Sequence, residues 1–164
     1  MALLSIEVAN KFNVVMEDYL ETYFQKRDLN SIATYLAESF YGCGTGVDEQ
    51  VYNKDEGLAI FKRDLEAVTT PIKTIYRKRE MQILNDTTAI FQACMDVHFN
   101  IMGEEMEFRN LRMTVVLHEV DKDIKVIAKH LSLPTDSHEE GESFPIKEAL
   151  SRKREKINTI SIKF

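Results

Sequence analysis

Residues 87–102 read TTAIFQACMDVHFNIM, with an apolar side chain at every second position. Ala89, Phe91, Ala93, Met95, Val97, Phe99 and Ile101 form one row; Gln92, Cys94, Asp96, His98 and Asn100 share the other with Ile90. Successive side chains of an extended chain point to opposite faces, so this period of two predicts a long strand with one face on a core. Downstream, Gly103-Glu104 turns the chain and residues 107–119 alternate again: Leu111, Met113, Val115 and Leu117 against Asn110, Arg112, Thr114, Val116 and His118. A tight Asp121-Lys122-Asp123 loop leads to a last strand over 124–133, which Pro134 ends. Upstream, residues 72–84 predict a less regular strand with a bulge near Tyr76, and Asn85-Asp86 supplies turn chemistry. Long consecutive strands joined by short turns make an antiparallel meander.

The first seventy residues have a different period. Val8, Phe12, Val15, Met16, Tyr19, Leu20, Tyr23 and Phe24 form one helical stripe, followed by Lys26 and Arg27 at the negative end of the helix dipole. Asp28 or Asn30 can cap a short second helix carrying Leu29, Ile32, Ala33 and Leu36. Residues 40–47, FYGCGTGV, are β-like but glycine-rich, so a ligand or another surface can approach that backbone closely. A third helix starts near Asn53 or Asp55, carries Leu58, Phe61, Leu65 and Val68, and stops before Pro71. Helices first and a meander after give an α+β domain with the helices on one side of the sheet. Residues 135–142 read as a polar linker. Residues 143–164 read as a C-terminal amphipathic helix whose Ile146, Leu150, Ile157, Ile160 and Phe164 form a heptad-like seam.

A chain of 164 residues suits one domain with a real core. Its net charge of −6 and pI near 5.3 argue against holding nucleic acid through phosphates and against anionic membranes. Cys43 and Cys94 lie far apart without metal spacing, which fits free thiols in a reducing compartment. With no basic leader and no membrane-length apolar run, the expected location is the cytoplasm.

Three stretches carry a family resemblance: GTGVDE at 44–49, LRMTVVL at 111–117, and IKVIAKHLSLP at 124–134 with its His-x-Ser before proline. With the element order, they make residues 8–134 resemble the SnoaL-like branch of the nuclear transport factor 2-like superfamily. Two positions depart from its pattern: Lys122 stands where Gly is common in the last hairpin, and Ile124 where Trp is common. The resemblance implies a cystatin-like cone over residues 1–134, in which a strongly curved antiparallel sheet closes over the first helix and encloses a pocket. Related enzymes, among them ketosteroid isomerase, cyclases and dehydratases, work in that pocket; other relatives bind or dimerise. The tail also resembles segments that lead from sensing domains to output domains in bacterial regulators.

Isomerase chemistry needs a carboxylate base, and residues 40–44 hold none where ketosteroid isomerase has it. Tyr19 or Tyr23 could stand for that enzyme's helix tyrosine, although tyrosines on an apolar stripe are commonly core. Asp96 and His98 share a strand face but sit roughly 7 Å apart by backbone rise, too far for a dependable dyad; a solvated or subunit-facing surface suits them better. A three-residue last hairpin would set Thr114 opposite His130 and Arg112 opposite Ser132. That set suits an anionic ligand such as a carboxylate, unless Arg112 serves a cross-sheet glutamate or a subunit interface. The glycine-rich segment with Thr45 is not a phosphate loop, and the histidines lack zinc spacing.

The expected protein is therefore a homodimeric, cytoplasmic, small-molecule-binding sensory domain of a bacterial regulator, without metal or cofactor. Its candidate ligand contacts are Tyr19, Tyr41, Thr45, Arg112, Thr114, His130 and Ser132. A stand-alone isomerase, cyclase or hydratase, and a pure dimerisation module, are the alternatives.

Overall fold

In the computed structural model, which describes residues 6–135, 147, 148 and 150–153, the first helical stripe forms as α1 (Ile6–Glu21) and buries Phe12, Met16, Tyr19 and Leu20. A wider π-helical turn, Thr22–Lys26, carries the stripe on through Tyr23 and Phe24. The chain then leaves at Arg27 in the left-handed conformation, φ 54° and ψ 39°. A β-carbon there costs roughly 1–2 kcal/mol, which is why glycine is usual at such helix ends. Here the guanidinium offsets the strain. It donates to the carbonyls of Tyr23 (3.1 Å), Asp64 (3.0 Å) and Val68 (2.9 Å), so one side chain ties together the C-terminal ends of two helices.

Asp28 caps α2 (Leu29–Tyr35), accepting from the Asn30 backbone N–H. The second helix was expected to include Leu36; the chain is already extended there, and Leu36 is buried as the first residue of β1 (Leu36–Cys43). A two-residue β2 (Gln50–Val51) precedes α3 (Lys54–Ala67), which Asn53 caps by accepting from Glu56 N–H at 2.9 Å. Then come β3 (Lys73–Asn85), β4 (Thr88–Ile101), β5 (Glu104–Val120) and β6 (Asp123–Ser132). They form one curved, unclosed sheet in the order β2-β1-β6-β5-β4-β3. All its neighbours pair antiparallel except β1 and β6, which are parallel. Ala89, Phe91, Ala93, Met95 and Val97 of β4, with Leu111, Met113, Val115 and Leu117 of β5, turn inward and share one core with α1.

The turns are tighter than the sequence suggested. The β4–β5 hairpin turns on Met102-Gly103 rather than Gly103-Glu104, and the β5–β6 hairpin on two residues, Asp121-Lys122, rather than three. All four have positive φ, as a type I′ hairpin requires. The expected register nevertheless forms. An extra residue in β6, between the Leu117–Val126 and Val116–Ala128 pairs, restores the shift that a third loop residue would have made.

The sheet bends at a second set of bulges. Register shifts occur between Tyr76 and Lys78 of β3, where one was expected, and between Met95 and Val97 of β4. The Asp96 carboxylate lies at this level and joins all three strands. It accepts from Arg77 Nε (3.0 Å) and Nη2 (2.7 Å), and from the backbone N–H of Asn110 (2.9 Å), itself at φ 55°.

The chain divides into two units, Met1–Leu133 and Pro134–Phe164; the sheet and the three helices belong to the first. In the second, residues 147, 148 and 150–153 are helical, and the rest of the expected linker and seam lies outside the described residues. Lys122 has φ 73°. Lys122→Gly is expected to stabilise the protein by about 1 kcal/mol in urea unfolding, because glycine carries no β-carbon strain there.

Candidate functional site

On β6 the bulge decides which side chains enter the cone. Beyond it, Lys129 pairs with Val115 and Leu131 with Met113, two residues of the buried row. Lys129 is accordingly 4% exposed. Its Nζ has no hydrogen-bond partner, and among the described residues the only other such buried side-chain atom is the Tyr19 hydroxyl. Three aromatic rings surround the ammonium: Tyr23 at 3.4 Å from ring centroid to Nζ, Phe61 at 4.8 Å and Tyr19 at 5.8 Å. Ring faces attract a cation, but they replace only part of the hydration it has lost. Burial therefore pulls the Lys129 pKa down to about 7, against the raising effect of Asp64.

Lys129 lines a cavity of about 40 Å³ together with Gly42, Gly44, Glu49, Phe61 and Asp64. Gly42 lies opposite Lys129 in the β1–β6 pair, and a β-carbon on it would come within 3.0 Å of Phe40 and Val51. An adjoining cavity of about 250 Å³ shares Tyr23, Glu49, Asp64 and Leu131 and adds the apolar wall Val97, Phe99, Phe108 and Leu111. Desolvation, then the nearby Glu49, push the Asp64 carboxyl above the usual carboxylate range. Glu49 is held by Arg63 (2.8 Å) and by the Gly46 N–H (2.8 Å). An apolar chamber thus opens beside a small polar recess that holds an amine and a carboxyl whose pKa values are pushed towards each other.

The residues singled out from the sequence fall on both sides of the sheet. Thr45 lines the larger cavity. Tyr19 is fully buried beside Lys129, and burial raises its phenol pKa. Arg112 pairs with Ser132 and Thr114 with His130, as the register required, but all four lie on the outer face, opposite the cavities. Tyr41 is 43% exposed and pairs with Ala128, next to them on the same face. Asp96 and His98 have separate partners: Asp96 binds Arg77 and Asn110, and His98 Nε2 lies 3.7 Å from Glu107. Lys129, Asp64 and Glu49 were missed as a set. A signal for Lys129 was present, since Thr114 opposite His130 places Lys129 opposite Val115, on the apolar row.

A family model described as SnoaL-like domain matches residues 13–136. The chain belongs to that family. Among similar solved structures is a nuclear transport factor 2-like protein of unknown function from Pseudomonas putida, 15% identical, with a TM-score of 0.67 over 81% of this chain and 91% of that one. A ketosteroid isomerase-like protein from Erwinia carotovora is 12% identical, with a TM-score of 0.67 over 80% and 99%. A nuclear transport factor 2-like protein from Streptomyces avermitilis, provisionally named a dehydratase, is 10% identical, with a TM-score of 0.68 over 80% and 99%. At these identities the likeness is one of fold. No curated protein sequence matches the chain. A SnoaL-like domain of this architecture is a ligand-binding or small-molecule-processing domain. No helix among the described residues is long and apolar enough to cross a membrane.

Lys129 makes this SnoaL-like chain's stability depend on pH. In the unfolded chain a lysine keeps its proton to about pH 10.4, whereas folded Lys129 releases it near 7. Between those values the unfolded state binds more protons, so stability rises with pH across that window, and the penalty is complete below about 7. Lys129→Met is expected to stabilise the protein by about 2–4 kcal/mol at pH 6 and by less at pH 9, measured by urea unfolding at both.

Proposed function

We propose that this chain is a small-molecule-binding domain whose ligand places a largely apolar body in the larger cavity and a single polar end in the recess at Lys129. The observation that carries this reading is the unpartnered Lys129 amine. It costs stability, no ion pair requires it, and it lines the recess that adjoins the apolar chamber. Asp64 and Glu49 line both cavities and disfavour a second negative charge, so the fitting ligand is neutral. The role is sensory and the assembly a homodimer, in a bacterial cytoplasmic protein; the free thiols of Cys43 and Cys94 are compatible with that compartment. The outer face, with Ile90 and Val116 amid Arg112, Thr114 and His130, is the self-association surface. Sensing requires two states of the domain that differ in affinity for the ligand.

One observation favours catalysis as the second reading. A half-buried carboxyl and a buried amine whose pKa values are pushed towards each other form an acid–base pair of the kind dehydration or isomerisation uses. Both readings use the same cavity, and turnover separates them.

Displacement of an environment-sensitive fluorescent dye from the cavity tests the binding site. Leu111→Ala and Lys129→Met are expected to weaken dye binding about tenfold or more. Arg112→Ala and His130→Ala are expected to leave it unchanged while weakening self-association in sedimentation. The opposite pattern, dye affinity lost in the Arg112 and His130 variants with the dimer intact, would move the ligand to the outer face.

A further inference from the structure

Lys129 differs from a structural lysine in three respects. Its amine is withdrawn from water, it makes no hydrogen bond, and it borders empty space beside glycines that contribute no side chain. A lysine that anchors a carboxylate must stay charged, yet this one is desolvated and its recess already holds two carboxylates, Asp64 and Glu49. The charged and titratable groups around it are Asp64 from α3, Glu49 from the β1–β2 loop, Arg27 from the end of the π-helical turn, and the phenols of Tyr19 and Tyr23. Arg27 is occupied with helix carbonyls and Glu49 with Arg63, which leaves Asp64 as the carboxyl available to a bound molecule.

We propose that Lys129 is a nucleophilic amine, and that the recess takes the carbonyl group of an apolar aldehyde or ketone and holds it as a reversible imine. This rests on the ligand-binding reading above and names the chemistry of its polar end. The Nζ lone pair adds to the carbonyl carbon, the C=O π pair moves to oxygen, and one N–H proton passes from nitrogen to that oxygen through the Asp64 carboxylate. The resulting carbinolamine gives its second N–H proton to Asp64, which passes it to the leaving oxygen, so that water departs as the nitrogen lone pair forms the C=N bond. Amine plus carbonyl gives imine plus water, and no oxidant or reductant is consumed. An amine with part of its population neutral at pH 7 is available for the first step, whereas an amine with the ordinary lysine pKa of about 10.4 is almost wholly protonated there. A recess of about 40 Å³ admits a group of formyl or acetyl size, and the adjoining 250 Å³ admits a short alkyl chain.

The test uses the 164-residue chain with two probes of equal length, hexanal and hexan-1-ol. Hexanal is incubated at pH 7 with cyanoborohydride, which traps an imine as a secondary amine, and labelled peptides are mapped by mass spectrometry. Lys129 is expected to carry at least tenfold more label than any other lysine, with the N-terminal amine mapped separately. Labelling in the Asp64→Asn variant is expected to slow while hexan-1-ol still displaces the dye. Lys129→Arg, which keeps the charge without a nucleophilic amine, is expected to lose the label. If hexan-1-ol displaces the dye and Lys129 is no more labelled than surface lysines, the imine is excluded and the binding reading stands. If hexan-1-ol does not displace the dye and Lys129 is unlabelled, both fall.

Discussion

Covering the aromatic stripe of α1 with a single sheet requires the sheet to bend, and the bend is held by one carboxylate. Asp96 takes two hydrogen bonds from Arg77 on β3 and one from the backbone of Asn110 on β5. These are the places where the strands shift register, so three strands turn together. Arg77 and the Asn110 N–H hold the Asp96 carboxyl below its usual range, which marks the ionised form as the one the bend uses. Everything inside the cone follows from that curvature. With the sheet wrapped over α1, Tyr23 and Phe61 stand over β6, and Lys129 points into the space between them.

That space is where the sequence ceases to serve stability alone. Elsewhere in the interior the side chains are ordinary core: Phe12, Met16, Leu36, Met95 and Leu117 are each at most 2% exposed. At β6 an amine takes the place a valine or leucine would fill, and glycines line the space beside it. The rings of Tyr19, Tyr23 and Phe61 lower the cost of that amine without removing it. Proteins keep such arrangements where binding or chemistry needs them, because a methionine of similar length would pack as well and raise stability.

Much of the architecture was legible because it rests on periods. The alternation from Ala89 to Ile101, the row Leu111 to Leu117 and the stripe from Phe12 to Phe24 have one dominant burial pattern each, and the structure follows them. The pairing of Thr114 with His130 was also legible, although it arises from a two-residue turn and a bulge rather than a three-residue loop. The parallel contact of β1 with β6 is non-local, and no period within either strand announces it. The β5 bulge was not predicted: it sets Phe108 and Leu111, three residues apart, on one face, whereas strict alternation puts them on opposite faces. The candidate site was less legible because polar residues on an alternating strand point to its outer face, opposite the cavities. Arg112, Thr114, His130 and Ser132 drew attention for their chemistry, while the informative residue was the lysine in the apolar row.

Lys129 sits in the cone as an amine partly neutral at physiological pH. Its titration can be followed directly by NMR of protein carrying 13C-labelled lysine, with the Lys129 side-chain signal assigned from the Lys129→Met variant. One lysine is expected to titrate close to pH 7, well below the ordinary lysine value of about 10.4. A Lys129 signal that moves with the surface lysines would contradict it.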